Sequence, residues 1–255
     1  MCRSIKVSRL NFSESAQGGS FPVTRHSIVV AAQSSDPVER SRAIEAVTAA
    51  YWKPMYKYIR MKWGVAREDA QDFTQEFFTR LMEKEFLEAY DPHKGRLRTF
   101  LRTCADRLYL NQSRDAQRLK RSGGATHLPL DFDEAERELA KVTAAESIEE
   151  YFEKEWVRSL FSLALERLRA QCKSSGKAVH FVLFERYDLA EEDGPKPSYA
   201  ELAGEFGLAV TDVTNYLAFA RREFRRAVLD QLREMTASEE EFRREAQALL
   251  GVDPL

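Results

Sequence analysis

The chain has 255 residues, 44% of them hydrophobic and 31% charged, with a formal net charge of −2. That length builds one large domain or two small ones, and the composition is that of a soluble globular protein. No apolar run approaches the roughly 20 residues needed to cross a bilayer, and the N-terminus lacks an apolar stretch followed by a small-residue cleavage site, so the expectation is a cytoplasmic protein with no membrane insertion.

Cys2, Cys104 and Cys172 are odd in number and dispersed, and His26, His93, His127 and His180 have no metal-ligand spacing, so neither a disulfide framework, a metal site nor a cofactor is expected. Residues 1–35 are polar, contain Gly18 and Gly19 and have no sustained period, which reads as a disordered arm. Asp36 before Pro37 is a cap and first-turn pair that opens a helix, Pro54 offers a second start, and Gly64 is a stop. The next stretch, "EDAQDFTQEFFTRLMEK" at 68–84, opens on Glu68 and Asp69. On a helical wheel it sets Phe73, Phe77, Phe78 and Leu81 toward a core and Asp72, Gln75, Glu76, Thr79 and Glu83 away from it.

Asp91, Pro92 and Gly95 make a turn, after which a basic helix runs to Arg121 and ends at Gly123 and Gly124. Residues 96–121 hold eight basic residues against Asp106 and Asp115. Arg98, Arg102, Arg107, Arg114 and Arg118 are interleaved with Phe100 and Tyr109. Cations that follow a backbone, beside aromatic faces for unstacked bases, suit single-stranded nucleic acid. Phe100, Leu101, Cys104 and Leu108 read as core, which leaves the arginine face and Asn111 as candidates.

Residues 131–155 reverse the charge, with ten acids against Arg137, Lys141 and Lys154. A helix from about Ser147 carries Phe152, Trp156, Leu160, Leu163, Leu165 and Leu168, and another spans 177–187, before the loop "DLAEEDGPKPS". Ser198 with Glu201 forms a capping box on a short helix that stops at Gly207. A longer helix then starts at Thr211 or Asp212, the layout of a helix-turn-helix. Its Val213, Leu217, Ala220 and Phe224 share one side; Thr211, Asn215 and Arg222 lie opposite, flanked by Thr214, Ala218, Arg225 and Arg226. Small hydrogen-bonding groups at the N-terminal end of such a helix suit base edges, and the arginines beyond suit phosphates. The tail at 236–255 repeats a capping pattern with Ser238 and Glu241; it reads either as a helix that folds back on one of the two domains and modulates access to DNA or polymerase, or as a solvated terminal helix.

No segment alternates like a strand. The expected fold is all-α: two small helical domains joined by an acidic linker, the second a helix-turn-helix. The expected divisions are the arm 1–35, a first domain 36–124, the linker 125–146, a second domain 147–235 and a helical extension 236–255. No Gly-rich phosphate loop, HExxH pair or nucleophile signature is present, so an enzyme is not expected.

"DFTQEFF", then "RTFL", a basic helix, an acidic stretch and "SYAELAGEFGLAVTDVTNYLAFARREFRR" together resemble RNA polymerase sigma factors of the extracytoplasmic-function type over about residues 40–235. The resemblance implies that Asp72, Gln75, Glu76 and Thr79 dock on the clamp helices of the largest polymerase subunit, and that the flap of the second-largest subunit is a further partner. It implies that Arg98, Arg102, Arg107, Asn111, Arg114 and Arg118 serve the −10 element of promoter DNA, and that Thr211, Thr214, Asn215, Arg222, Arg225 and Arg226 serve the −35 element. It also leaves room for an anti-sigma factor or other regulator as a partner. Phe100 stands where many members carry tryptophan, Arg107 where an asparagine is common, and Phe219 where an arginine is usual. The competing reading is a helix-turn-helix regulator that binds DNA without loading polymerase.

Overall fold

In the computed structural model, residues 31, 34, 36–82, 87, 89–91, 93–115, 128–140, 147–190 and 196–251 are described, the side chains of 113–115 excepted. They form nine helices and no strand: α1 Pro37–Trp63, α2 Arg67–Met82, α3 Leu97–Asp115, α4 Phe132–Leu139, α5 Ile148–Ser174, α6 Ala178–Asp188, α7 Tyr199–Phe206, α8 Val210–Glu234 and α9 Glu239–Leu250. The all-α expectation stands. Apart from Ala31 and Ser34, the N-terminal arm lies outside the described residues, as do the end of the basic helix beyond Asp115 and residues 191–195 of the loop before Ser198.

Local chemistry sets most helix ends. Asp36 accepts a hydrogen bond from the Val38 amide at 2.9 Å, which satisfies one of the donors left over in a first turn. Ser147 with Glu150 and Ser198 with Glu201 both form full capping boxes. Ser238 caps α9 by accepting from the Glu241 amide, but the Glu241 carboxylate accepts from the Ala237 amide, one residue before the expected box position. Gly64 and Gly207 end α1 and α7 in the left-handed conformation, which costs glycine nothing.

Pro54 does not start a new helix, and α1 runs through it. Proline removes one amide donor and crowds the carbonyl four residues back, here that of the small, buried Ala50. The apolar face of Val47, Tyr51, Met55, Tyr58 and Ile59, all buried, keeps the helix whole on both sides of the proline.

The hydrophobic core is continuous from α1 to α9. α5, about 40 Å long at 1.5 Å per residue, ties its two ends together. Its N-terminal part packs on α1, with Phe152 edge-on to Tyr58 and Trp156 stacked on Tyr51. Its C-terminal part packs on α8, with Phe161 edge-on to Phe224. Lys57 of α1 and Glu155 of α5, 1% and 2% exposed, form an ion pair across that seam.

The acidic segment differs from the linker expected of it, for within 125–146 residues 132–139 form α4, laid against α1. Glu134 pairs with Lys53 at 2.9 Å, Glu138 with Lys57 at 2.5 Å and Glu136 with Arg60 at 2.7 Å, while Asp133 pairs with Arg67. Phe132 packs edge-on against Trp52 and tilted on Tyr56. Acids and bases that look like opposed blocks in the sequence are therefore partners in the fold. Residues 125–127 and 141–146 lie outside the described residues.

Candidate nucleic-acid interface

Three helices carry the candidate residues, and each presents them differently. On α2 the four phenylalanine-side residues Phe73, Phe77, Phe78 and Leu81 are buried, as the wheel places them. Opposite, Asp72 is exposed, and Glu76 is half-buried, pairing with Arg80 at 2.6 Å and accepting from the Gln112 amide group of α3. Thr79 is half-buried, with its hydroxyl oxygen enclosed and unpartnered. Gln75 corrects the wheel. Its side chain is buried and holds the backbone of Leu128 twice, donating to the carbonyl oxygen at 2.8 Å and accepting from the amide at 2.8 Å. The segment leading into α4 thus straps across the middle of this face. Glu83 lies outside the described residues.

On α3 the arginines divide. Arg107 and Asn111 are exposed, one turn apart, and form a stripe with Thr99, Thr103 and Leu110. Leu110, 53% exposed, is an apolar residue at the centre of this polar patch that charge counting passes over. Arg102 is half-buried, with its guanidinium about equally far from the Tyr58 and Phe152 rings. Arg98 does not reach solvent: only 5% exposed, it pairs with Glu153 at 2.5 Å and Glu245 at 3.0 Å and lies over the Trp156 ring. The aromatic partners are also engaged, because Tyr109 stacks on Trp63 at 3.8 Å and 6° and Phe100 packs on Tyr90. Burial pushes the Cys104 thiol up to about 11, so it is a core residue in its protonated form. The side chain of Arg114 and all of Arg118 lie outside the described residues.

On α8 the polar face is open. Val213, Leu217, Ala220 and Phe224 are fully buried, whereas Thr211, Thr214, Asn215, Arg222 and Arg226 are exposed. The helix starts at Val210 rather than Thr211, with Ala209 as a cap that makes no side-chain bond. The Thr214 hydroxyl donates back to the Val210 carbonyl at 3.0 Å and keeps its lone pairs outward. Arg225 is half-buried. Arg221, next to the candidates, has a structural role: it makes a two-pronged bond to Asp188 at 2.9 and 3.0 Å, fixing α8 against the end of α6.

Lys177 was missed by sequence reasoning. It precedes α6, stands 4.0 Å over the Phe219 ring and has no carboxylate partner among the described residues. Arg222 approaches the same ring at 5.5 Å, so Phe219 carries two cations beside the open face. His180 stacks on Tyr216 at 3.8 Å next to them; burial first, and Lys177 second, hold its imidazole below the usual range. The signal available in the sequence was only a lysine at a helix start, which is too common to single out.

No helix among the described residues is long and apolar enough to cross a membrane. Residues 49–119, from within α1 to just past α3, match the family model of sigma-70 region 2. Over that segment the chain is similar to sigma-70 factors, regulators of transcription initiation that act with RNA polymerase. Neither the curated proteins nor the solved structures compared with the chain contain a match to it.

Proposed function

We propose that the chain is a sigma factor of the extracytoplasmic-function type, acting in the cytoplasm, which binds core polymerase, recognises −35 and −10 promoter elements and stabilises the opened promoter. The observation that carries this reading is that the segment matching sigma-70 region 2 presents both kinds of surface such a factor needs: exposed Asp72 beside half-buried Glu76 on α2, and exposed Arg107 with Asn111 on α3. Residues 36–124 would form the polymerase and −10 unit, and 147–235 the −35 unit.

The mechanism uses binding alone. Asp72, Glu76 and Thr79 meet the clamp helices, and Gln75 joins them once its bonds to Leu128 are exchanged for bonds to the partner. The small polar residues Thr211, Thr214 and Asn215 read base edges of duplex −35 DNA, while Arg222, Arg225 and Arg226 hold its phosphates. Arg107 and Asn111 engage −10 bases that have left the stack, with Leu110 as the apolar surface beneath them. Arg102, set against the Tyr58 and Phe152 rings, keeps the base of α3 in place. Captured bases cannot re-pair, so recognition and opening are one step.

Retention of core polymerase by the immobilised protein, followed by run-off transcription from promoter DNA, tests the reading. Asp72→Lys should keep the wild-type melting curve, and both Asp72→Lys and Glu76→Lys should lower polymerase affinity on the order of tenfold or more, since reversed charges meet like charges across the interface. Binding to duplex DNA without any retention of polymerase would instead identify a helix-turn-helix regulator.

A further inference from the structure

The C-terminal helix α9 brings two acids into the interior. Phe242, Ala246 and Leu250 seat it in the common core, and on adjacent turns Glu241 and Glu245 are only 8% and 3% exposed. A buried carboxylate is costly unless cations meet it. Glu245 meets two, both at the start of α3: one oxygen accepts from Arg98 at 3.0 Å, and the other lies 2.9 Å from the Arg96 guanidinium, off its N–H axis, as an ion pair without a hydrogen bond. The first turn of α3 has no acid of its own, so Glu245 also supplies the negative charge that a helix N-terminus favours. Arg98 keeps a second carboxylate, Glu153, whereas Arg96 is 40% exposed and, among the described residues, pairs with Glu245 alone.

Two guanidinium groups side by side at a helix start form an anion site, and what fills it here is a side chain distant by 147 residues in sequence. We infer that Arg96 and Arg98 are a binding site for a nucleic-acid phosphate, and that Glu245 of α9 occupies it in cis. Backbone capture by the N-terminal unit then competes with docking of the protein's own C-terminal helix. This rests on the proposed reading of α3 as a single-strand binding element. The site lies at the foot of the exposed Thr99, Thr103, Arg107 stripe, so a strand lying along that stripe would arrive at Arg96. Undocking α9 uncovers Phe242, Ala246 and Leu250, so the competition carries a cost and the closed form is the resting one.

The test is fluorescence anisotropy of a mixed-sequence single-stranded oligodeoxynucleotide, with the duplex of the same length in parallel, on the full-length protein. Glu245→Gln keeps the shape of the side chain and removes its charge; single-strand affinity should rise on the order of tenfold while duplex affinity stays put. Glu239→Gln, on the exposed side of the same helix, should change neither. Adding Arg96→Ala to Glu245→Gln should bring single-strand affinity back down and flatten its salt dependence by about 0.7 in log–log slope. In the wild type, which needs no variant to fold, saturating oligonucleotide should accelerate amide hydrogen exchange within 239–250. Equal binding by wild type and Glu245→Gln, or unchanged exchange in α9 at saturation, overturns the inference and leaves the proposed function standing. If no variant binds single-stranded DNA, the inference falls together with the reading of α3, and polymerase retention alone decides the rest.

Discussion

The start of α3 and the exposed face of α8 are both arginine-bearing in sequence, yet they differ in what the cations do. At the start of α3, Arg96 and Arg98 are closed by Glu245 and Glu153, and on neighbouring α1, Lys53, Lys57 and Arg60 are closed by Glu134, Glu138 and Glu136. On α8, Arg226 and Asn215 are exposed, and the nearest acid to Arg222 is its neighbour Glu223 at 3.5 Å. A basic helix is therefore a statement about composition; only the fold says whether its charge serves stability or a partner. The two kinds should respond in opposite ways to mutation.

The largest expected effect is on the closed side. Lys57→Met removes a buried cation while leaving Glu155 at 2% exposure with Arg158 as its remaining partner. Breaking a buried pair in this way should cost about 3–5 kcal/mol, read as a shift in the midpoint of urea unfolding. A cost below about 1 kcal/mol, the range of exposed pairs, would mean that the α1–α5 seam is wet and the contrast with α8 is overstated.

On the open side the effect should appear in recognition. Thr211→Ala and Asn215→Ala should leave stability within about 0.5 kcal/mol, because neither side chain is buried. Each should change which duplex sequences are preferred, with about 1–3 kcal/mol lost where a good base contact disappears. Selection from a randomised duplex pool measures this, and an unaltered preference in both variants would take base reading away from the start of α8.

What the sequence made legible, and what it did not, follows from the range of the interactions. Caps at Asp36, Ser147 and Ser198 and the buried stripes of α2 and α8 involve residues within one or two turns, so periodicity and capping rules find them. The region-2 match likewise rests on one stretch of chain. The hydrogen bonds of Gln75 to Leu128, the docking of α4 and the burial of Arg98 join residues 53 to 147 positions apart. On a wheel Gln75 sits beside Asp72 and Glu76, and nothing local distinguishes the one that turns inward. Pro54 was misleading for the complementary reason, since a strong local signal yields to tertiary packing on both sides of it.

A pH titration sharpens the comparison at smaller amplitude. Hydrogen bonding to Arg60 holds the Glu136 carboxyl below its ordinary value, against a smaller opposing contribution from burial. A carboxylate whose folded pKa is depressed contributes stability above its unfolded value of about 4.3, and loses it as pH falls through the folded value. Glu136→Gln should therefore lower stability at neutral pH, and its difference from wild type should begin to shrink only as pH falls below about 4, vanishing below the folded value. A constant difference at all pH values would show that Glu136 acts through shape and not through charge.

The smallest effect concerns the two cations on Phe219. Lys177 and Arg222 stand over one ring beside the polar face of α8, and neither is held by a strong carboxylate contact, so both are available to a backbone phosphate. Phe219 gives them an apolar support that fixes direction at little loss of charge, which a flexible lysine on open surface lacks. Lys177→Ala and Arg222→Ala should each weaken duplex binding evenly over all sequences and reduce the slope of log affinity against log salt by about one. Phe219→Leu keeps both charges and removes the ring; it should retain the slope while losing part of the affinity, because the cations remain but are no longer aimed. Titrations of the three variants at a series of salt concentrations separate these outcomes. A wild-type slope in Lys177→Ala would place that lysine off the DNA and restrict the phosphate contacts to α8 itself.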